Sequence, residues 1–194
     1  MSKSDPSTSK KERNKTISWV ITIFLVTILV SATISFVSDI IMDATTVLVA
    51  FLILLAIVFI GILFDIIGVA VTSADEKPFH SMAARKVPGA QDAIRLLRKA
   101  ERVSSICNDV VGDICGVVSG AASATIAGQV IASGNFSWPQ LITLGMSAIV
   151  AGLTVGGKAV GKTFAINSCT SIVHAVGRVL WVFRNIPTLL RRKK

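Results

Sequence analysis

Four long apolar runs constrain this 194-residue chain more than any other feature it carries. They cover about residues 17–41, 46–71, 106–132 and 141–160, and each supplies roughly the 20 apolar residues a helix needs to cross a bilayer. Hydrophobic residues make up 52% of the chain and charged ones 16%, with a mean hydropathy of +0.71. A soluble domain of this size has too little interior to hide so much apolar surface. The expectation is an all-α, polytopic membrane protein with about four transmembrane helices plus cytoplasmic amphipathic helices, and the lipid bilayer is its first partner. The first run does not read as a cleavable signal peptide. Its apolar core is too long, and no small-residue cleavage site precedes a soluble domain.

The net charge of +9 is unevenly spread. It gathers in Lys10, Lys11, Arg13 and Lys15, between Lys77 and Arg102, and in the tail from Arg178 to Lys194. The turn at 39–43 and the loop at 133–140 hold no Lys or Arg. By the positive-inside rule both termini and the central segment face the cytoplasm, and the cell membrane is the expected location. Basic clusters separated by apolar spans argue for this topology rather than for nucleic-acid binding. Trp19, Trp138 and Trp181 fall near span ends, where indoles prefer to sit.

This gives a division into a disordered basic N-terminal tail (1–16), an extra span with its outside turn (17–44), a transmembrane domain holding the other three spans (45–185) and a basic C-terminal tail (186–194). Within that domain, 75–104 is a cytoplasmic helical segment. Ala90, Ile94, Leu97 and Val103 fall near one helical face, with Arg95, Arg98, Lys99 and Arg102 elsewhere around it, the pattern of an interfacial helix. Pro88-Gly89 separates it from a shorter helix near 80–86. A second amphipathic stretch, 171–183, carries Ile172, Val176, Val179 and Val182.

The third run begins with carboxylates and continues in small residues. Gly112, Gly116, Gly120, Ala124 and Gly128 recur at four-residue spacing, nearly on one helical face, which would let a neighbouring helix approach closely in lipid. Asp65 lies near the cytoplasmic end of the second run, and Asn108, Asp109 and Asp113 near that of the third. A carboxylate inside a span costs at least about 2.5–3.5 kcal/mol on insertion scales, so it needs a partner, a cavity or water. Hard oxygen ligands of this kind suit Mg²⁺. Lys158 offers the other solution, an internal ammonium paired with Asp65 or Asp113. Asp109 has a simpler role available, an acid in a helix's first turn.

Residues 156–163 read Gly-Gly-Lys-Ala-Val-Gly-Lys-Thr and satisfy the phosphate-binding pattern G-x-x-x-x-G-K-[ST]. That loop works by turning off a buried strand into a helix N-terminus. Here an apolar span precedes it, so no nucleotide is expected. His80 and His174 lack companion acids or cysteines at ligand spacing, and Cys107, Cys115 and Cys169 have neither zinc-site spacing nor an oxidising context. With no Ser/His/Asp or Cys/His constellation, catalysis is not expected.

The order of elements over about residues 45–185 resembles the transmembrane domain of the CorC/cyclin-M (CNNM) magnesium transporters. Residues 82–90, Met-Ala-Ala-Arg-Lys-Val-Pro-Gly-Ala, followed by Ala93, Leu96 and Leu97, are similar to the family's Leu-Ala…Gly-Ala…Leu pattern. Ile106-Cys107-Asn108-Asp109-Val110-Val111-Gly112 resembles its Ile-Gly-Asn-x-x-Val-Asn. Gly157 to Lys162 occupies the place of its Gly-Glu-x-x-Pro-Lys. The resemblance is divergent. Gly112 stands where the family has a second Asn, Lys158 where it has Glu, Asp65 where it has Ser, and Gly68 where it has Glu. The paired CBS domains that usually follow are not in this chain. The resemblance implies a homodimer packed through Gly112, Gly116, Gly120 and Gly128. It also implies movement or binding of a divalent cation such as Mg²⁺ at Asn108 with Asp65, Asp109 and Asp113. The alternative is a non-transporting scaffold or regulator in which Lys158 replaces the metal.

Overall fold

The computed structural model describes residues 6–43, 45–134 and 137–191. Among these residues every regular element is a helix. In chain order they are α1 (Pro6–Asp43), α2 (Val47–Ser73), α3 (Lys77–Ala84), α4 (Ala90–Leu97) and α5 (Ala100–Ser105). A π-helical segment (Ile106–Gly112) then runs into α6 (Asp113–Ala132), followed by α7 (Pro139–Asn167) and α8 (Cys169–Arg191). Among the described residues four stretches are long and apolar enough to cross a membrane: Ile17–Val37, Val47–Ser73, Ala100–Ala132 and Pro139–Asn167. The chain is an all-α polytopic membrane protein. In lipid only a helix or a closed barrel satisfies every backbone N–H and C=O, so even the β-branched run of α2 is helical.

α2 is the central helix. It packs against α6, α7 and the π segment within the bundle, and against α5 and α8 at one end. Ala50, Leu54 and Val58 of α2 meet Ala122 and Ile126 of α6 and Val150 of α7 in an apolar core. α1 lies at the edge, seated on α6, where Ile23 and Val30 touch Val110, Ile114 and Val118. Arg102 sits 5.1 Å over the Trp19 ring, a cation–π contact that pins α1 beside α5.

The short helices form a layer across one end of the bundle, called here the basic end. Phe79 of α3, Ala93, Ile94 and Leu97 of α4, and Val173 of α8 close over Ala70 and Val71 at the end of α2. Gly89 opens α4 in the left-handed region (φ +86°), where a side chain is disfavoured. A Cβ there would also lie 2.6 Å from Arg178 Cα of α8, and one at Gly177 would lie 2.6 Å from the Gly89 carbonyl oxygen. Backbone therefore meets backbone where α4 and α8 cross.

Four expectations change at this level. Helix α1 begins at Pro6 rather than after a disordered tail over 1–16, because proline suits a helix's first turn and the span beyond it propagates the helix. Residues 1–5 lie outside the described set. The single helix expected over 90–103 is two, broken at Arg98-Lys99. The third span starts at Ala100 and passes through a π turn, and the fourth continues past Lys158 and Lys162 to Asn167. The basic tail expected at 186–194 is helical as far as Arg191, and residues 192–194 lie outside the described set.

Candidate functional site

The polar groups of the spans converge where α2, the π segment and α7 meet. On α2, Gly61, Asp65 and Gly68 are all buried, at the i, i+4, i+7 spacing of one helical face. They run antiparallel to the facing chain. A Cβ on Gly61 would lie 2.8 Å from Cys115 Cβ, and one on Gly68 would collide with Asn108 Oδ1. Between them Asp65 faces Gly112, whose missing side chain leaves room: a Cβ there would sit 3.4 Å from Asp65 Oδ1 and 3.3 Å from Lys158 Nζ. Small residues on both helices thus make the space that a carboxylate and an ammonium fill.

Lys158 enters from α7, whose Gly157 and Gly161 press against Ile62 and Ile66 of α2. Its Nζ donates to the Gly112 carbonyl at 3.4 Å and lies 3.7 Å from Asp65 Oδ1 and 3.8 Å from Asp113 Oδ1. The carboxylate distances are ion-pair distances, longer than hydrogen bonds. Side-chain exposure falls from 72% at Asp113 through 20% at Lys158 to 6% at Asp65. Asp113 is therefore the outer group, and Asp65 depends on the lysine for its neutralisation.

The remaining candidates separate. The Asn108 amide donates to Ser104 Oγ at 3.2 Å, while its Oδ1 and Asp65 Oδ2 are both buried without a hydrogen-bond partner among the described residues. Asp109 points elsewhere and accepts a 2.7 Å bond from Ser105 Oγ. Among the described residues no group of three or more His, Cys, Asp or Glu side chains could hold a metal ion. The groups around the ammonium are Asp65, Asp113 and the Gly112 carbonyl, and a metal at this point would have to displace Lys158 to use them.

The glycine stripe also divides. Gly112 belongs to the polar site, whereas a Cβ on Gly116, Gly120 or Gly128 would meet nothing within 4 Å. The cause is the spacing itself, since α6 is a regular α-helix from Asp113 onward. A four-residue step overshoots an α-helical turn by about 40°, so the stripe drifts around the helix and Gly112 is rotated off the face that continues through Gly116 and Gly120. That open face borders a small-residue groove shared with Ser147, Ala151 and Thr154 of α7. The phosphate-loop-like run 156–163 lies inside the continuous helix α7, without the strand-to-helix turn from which such a loop presents its amides.

The sequence reading overlooked Asp92 at the basic end. It is 7% exposed, and its Oδ1 accepts from Arg184 at 2.8 Å and from Arg95 at 3.1 Å. Helical spacing puts it off the apolar face of Ala93, Ile94 and Leu97, so no sequence signal marked it, and its partner on α8 was not readable from spacing. Contrary to expectation His80 has a companion acid, Glu76 one helical turn earlier at 3.2 Å, while His174 Nε2 is buried without a hydrogen-bond partner among the described residues.

The fold and this site define the class: a multi-span α-helical membrane protein with a lysine–aspartate cluster between its helices. No protein-family model matches the chain, and neither the curated proteins nor the solved structures contain a match to it.

Proposed function

We propose that this chain is a non-transporting membrane scaffold or regulator whose polar core is closed by Lys158 in place of a metal ion. The observation that carries the reading is the ammonium, 3.7 Å from Asp65, 3.8 Å from Asp113 and 3.4 Å from the Gly112 carbonyl. A tethered cation there neutralises the buried carboxylate, as a divalent ion would, but it cannot leave. In the proposed topology both termini and the basic end are cytoplasmic, in the cell membrane. The open face of Gly116, Gly120 and Gly128 pairs two copies, since small residues let helix backbones approach in lipid.

A second reading rests on the unpartnered Asp65 Oδ2 and Asn108 Oδ1. Two oxygens with spare acceptor capacity, together with the resemblance to the CorC/cyclin-M family, favour binding or transport of a divalent cation such as Mg²⁺ with Lys158 swung aside. Calorimetric Mg²⁺ titration of the purified protein and Mg²⁺ flux in reconstituted liposomes separate the two. The scaffold reading expects no saturable binding and no flux above empty liposomes. Saturable binding that Asn108→Ala abolishes would replace it with the cation reading. Cysteine labelling of Ser81 and Asn135 variants from outside the cell tests the topology: label at 135 and not at 81 is expected.

A further inference from the structure

Helix α8 has two faces, and the fold uses one of them. The helix follows α7 after Ser168 alone, whose backbone (φ −119°, ψ 20°) is not helical and turns the chain out of the span. Beyond that joint α8 packs on α2 and α4 rather than back along α7. Val173, Gly177, Trp181 and Arg184 recur at the spacing of one helical face, and this face meets the body. Val173 rests on Ala70 and Val71 of α2, Gly177 on the Gly89 carbonyl, and Arg184 on Asp92.

Ile172, Val176, Val179 and Phe183 make the second face, about a third of the way round the helix. Ile172 still touches the core at the end of α2. Further along nothing among the described residues covers the face: Val179 is 53% exposed and Phe183 67%, with Leu180 and Val182 beside them at 42% each. Bulky apolar side chains gathered on one exposed face need an apolar neighbour.

Depth and charge say which neighbour. Val173 sits against the last turn of a membrane-length helix that ends at Ser73, so α8 starts level with the point where α2 leaves the hydrocarbon. A helix that turns out of one span and crosses the end of another at that depth runs along the headgroup boundary. Its sequence suits that position. From Cys169 to Arg191 it has no Asp or Glu, and its charged residues are Arg178, Arg184 and Arg191. An amphipathic helix with this composition lies in the interface plane, its apolar face at the acyl boundary and its cations reaching the headgroups. A second copy docked face to face would instead bring two acid-free basic helices together, and like charges oppose such pairing.

We infer that α8 is an in-plane interfacial helix whose Val179–Phe183 face docks on lipid and whose arginines select anionic headgroups. The inference is independent of how the Lys158 site functions and of which side of the membrane the basic end occupies.

Photo-crosslinking of the full chain tests it. A benzoylphenylalanine replaces Phe183, an exposed position that tolerates it, and the protein is reconstituted in liposomes of phosphatidylcholine and phosphatidylglycerol. Both leaflets have the same composition, so insertion in either orientation gives the same readout. Mass spectrometry after illumination should show lipid adducts in which phosphatidylglycerol exceeds its share of the bilayer. The same probe at Leu52, 57% exposed on the α2 span, should capture the two lipids in bulk proportion. Arg178→Gln, a change at an exposed residue, should lower the excess at position 183 severalfold, because each cation near an anionic surface adds to the attraction. Adducts in bulk proportion at 183, which any lipid-facing side chain would give, overturn the inference. So does a cross-linked dimer as the main product, which assigns the face to a second copy, and so does the absence of lipid adducts.

Discussion

Asp65 and Asp92 are both buried carboxylates, 4% and 7% exposed, yet the chain neutralises them in opposite ways. Asp92 receives two hydrogen bonds, at 2.8 and 3.1 Å, from arginines whose side chains remain more than half exposed. Those guanidiniums stay hydrated while reaching inward, so the pair forfeits little solvation. Asp65 has a lysine at 3.7 Å that is itself only 20% exposed, and no hydrogen bond accompanies that contact. Both partners there have left water, and the mutual attraction must offset the desolvation of each. The comparison teaches that burial of an acid does not by itself set what its loss costs. What matters is whether the partner can fall back on solvent.

The largest effect should therefore come from Lys158→Met, which leaves Asp65 buried and unpaired. Breaking a buried pair typically costs about 3–5 kcal/mol, and thermal unfolding of the purified variant should show a loss of this order. Adding Asp65→Asn should restore much of it, because the double change removes both charges together. A silent Lys158→Met would mean that the ammonium reaches the headgroups instead, and the contrast between the two acids would collapse.

At the basic end, Arg184→Gln should cost less, about 1–2 kcal/mol, since a hydrogen bond to a charged group contributes about 1.5–3 kcal/mol before allowance for its exposed donor. Hydrogen exchange should rise in α8 and α4 while α2 amides keep their protection. A loss matching that of Lys158→Met would erase the distinction. Gly116→Leu should leave protomer stability within about 0.5 kcal/mol of the parent, as surface changes usually do, but lower the yield of cross-linked dimer. Unchanged cross-linking would remove this face from the proposed pairing. Smallest of all is Asp109→Ala, which forfeits only the exposed bond from Ser105. Its melting temperature should be indistinguishable from the parent's, and a clear drop would place Asp109 in the polar core after all.

The spans were legible because a bilayer imposes a length that simple counting recovers; each of the four expected runs overlaps a membrane-length helix. Asp65, Asp113 and Lys158 stood out for a related reason, being ionisable groups where ionisable groups are expensive. The π segment was not legible. Nothing in Ile-Cys-Asn-Asp-Val-Val-Gly distinguishes a π turn from an α turn. The break at Arg98-Lys99 was hidden too, because no Gly or Pro marks it. Asp92 was missed because its importance comes from Arg184, a residue 92 positions away brought close only by the crossing of α4 and α8.

That crossing has a mechanical consequence. α7 and α8 are separated by Ser168 alone, and Gly177 rides directly on the Gly89 carbonyl with no side chain between them. A membrane helix meeting a thinner or thicker bilayer adjusts its tilt. A tilt of α7 would pass through a one-residue joint into α8, where only the Ala93 methyl group lies beside the backbone contact to absorb it. A shift of α8 would therefore be felt at the turn that carries Lys86, next to Gly89.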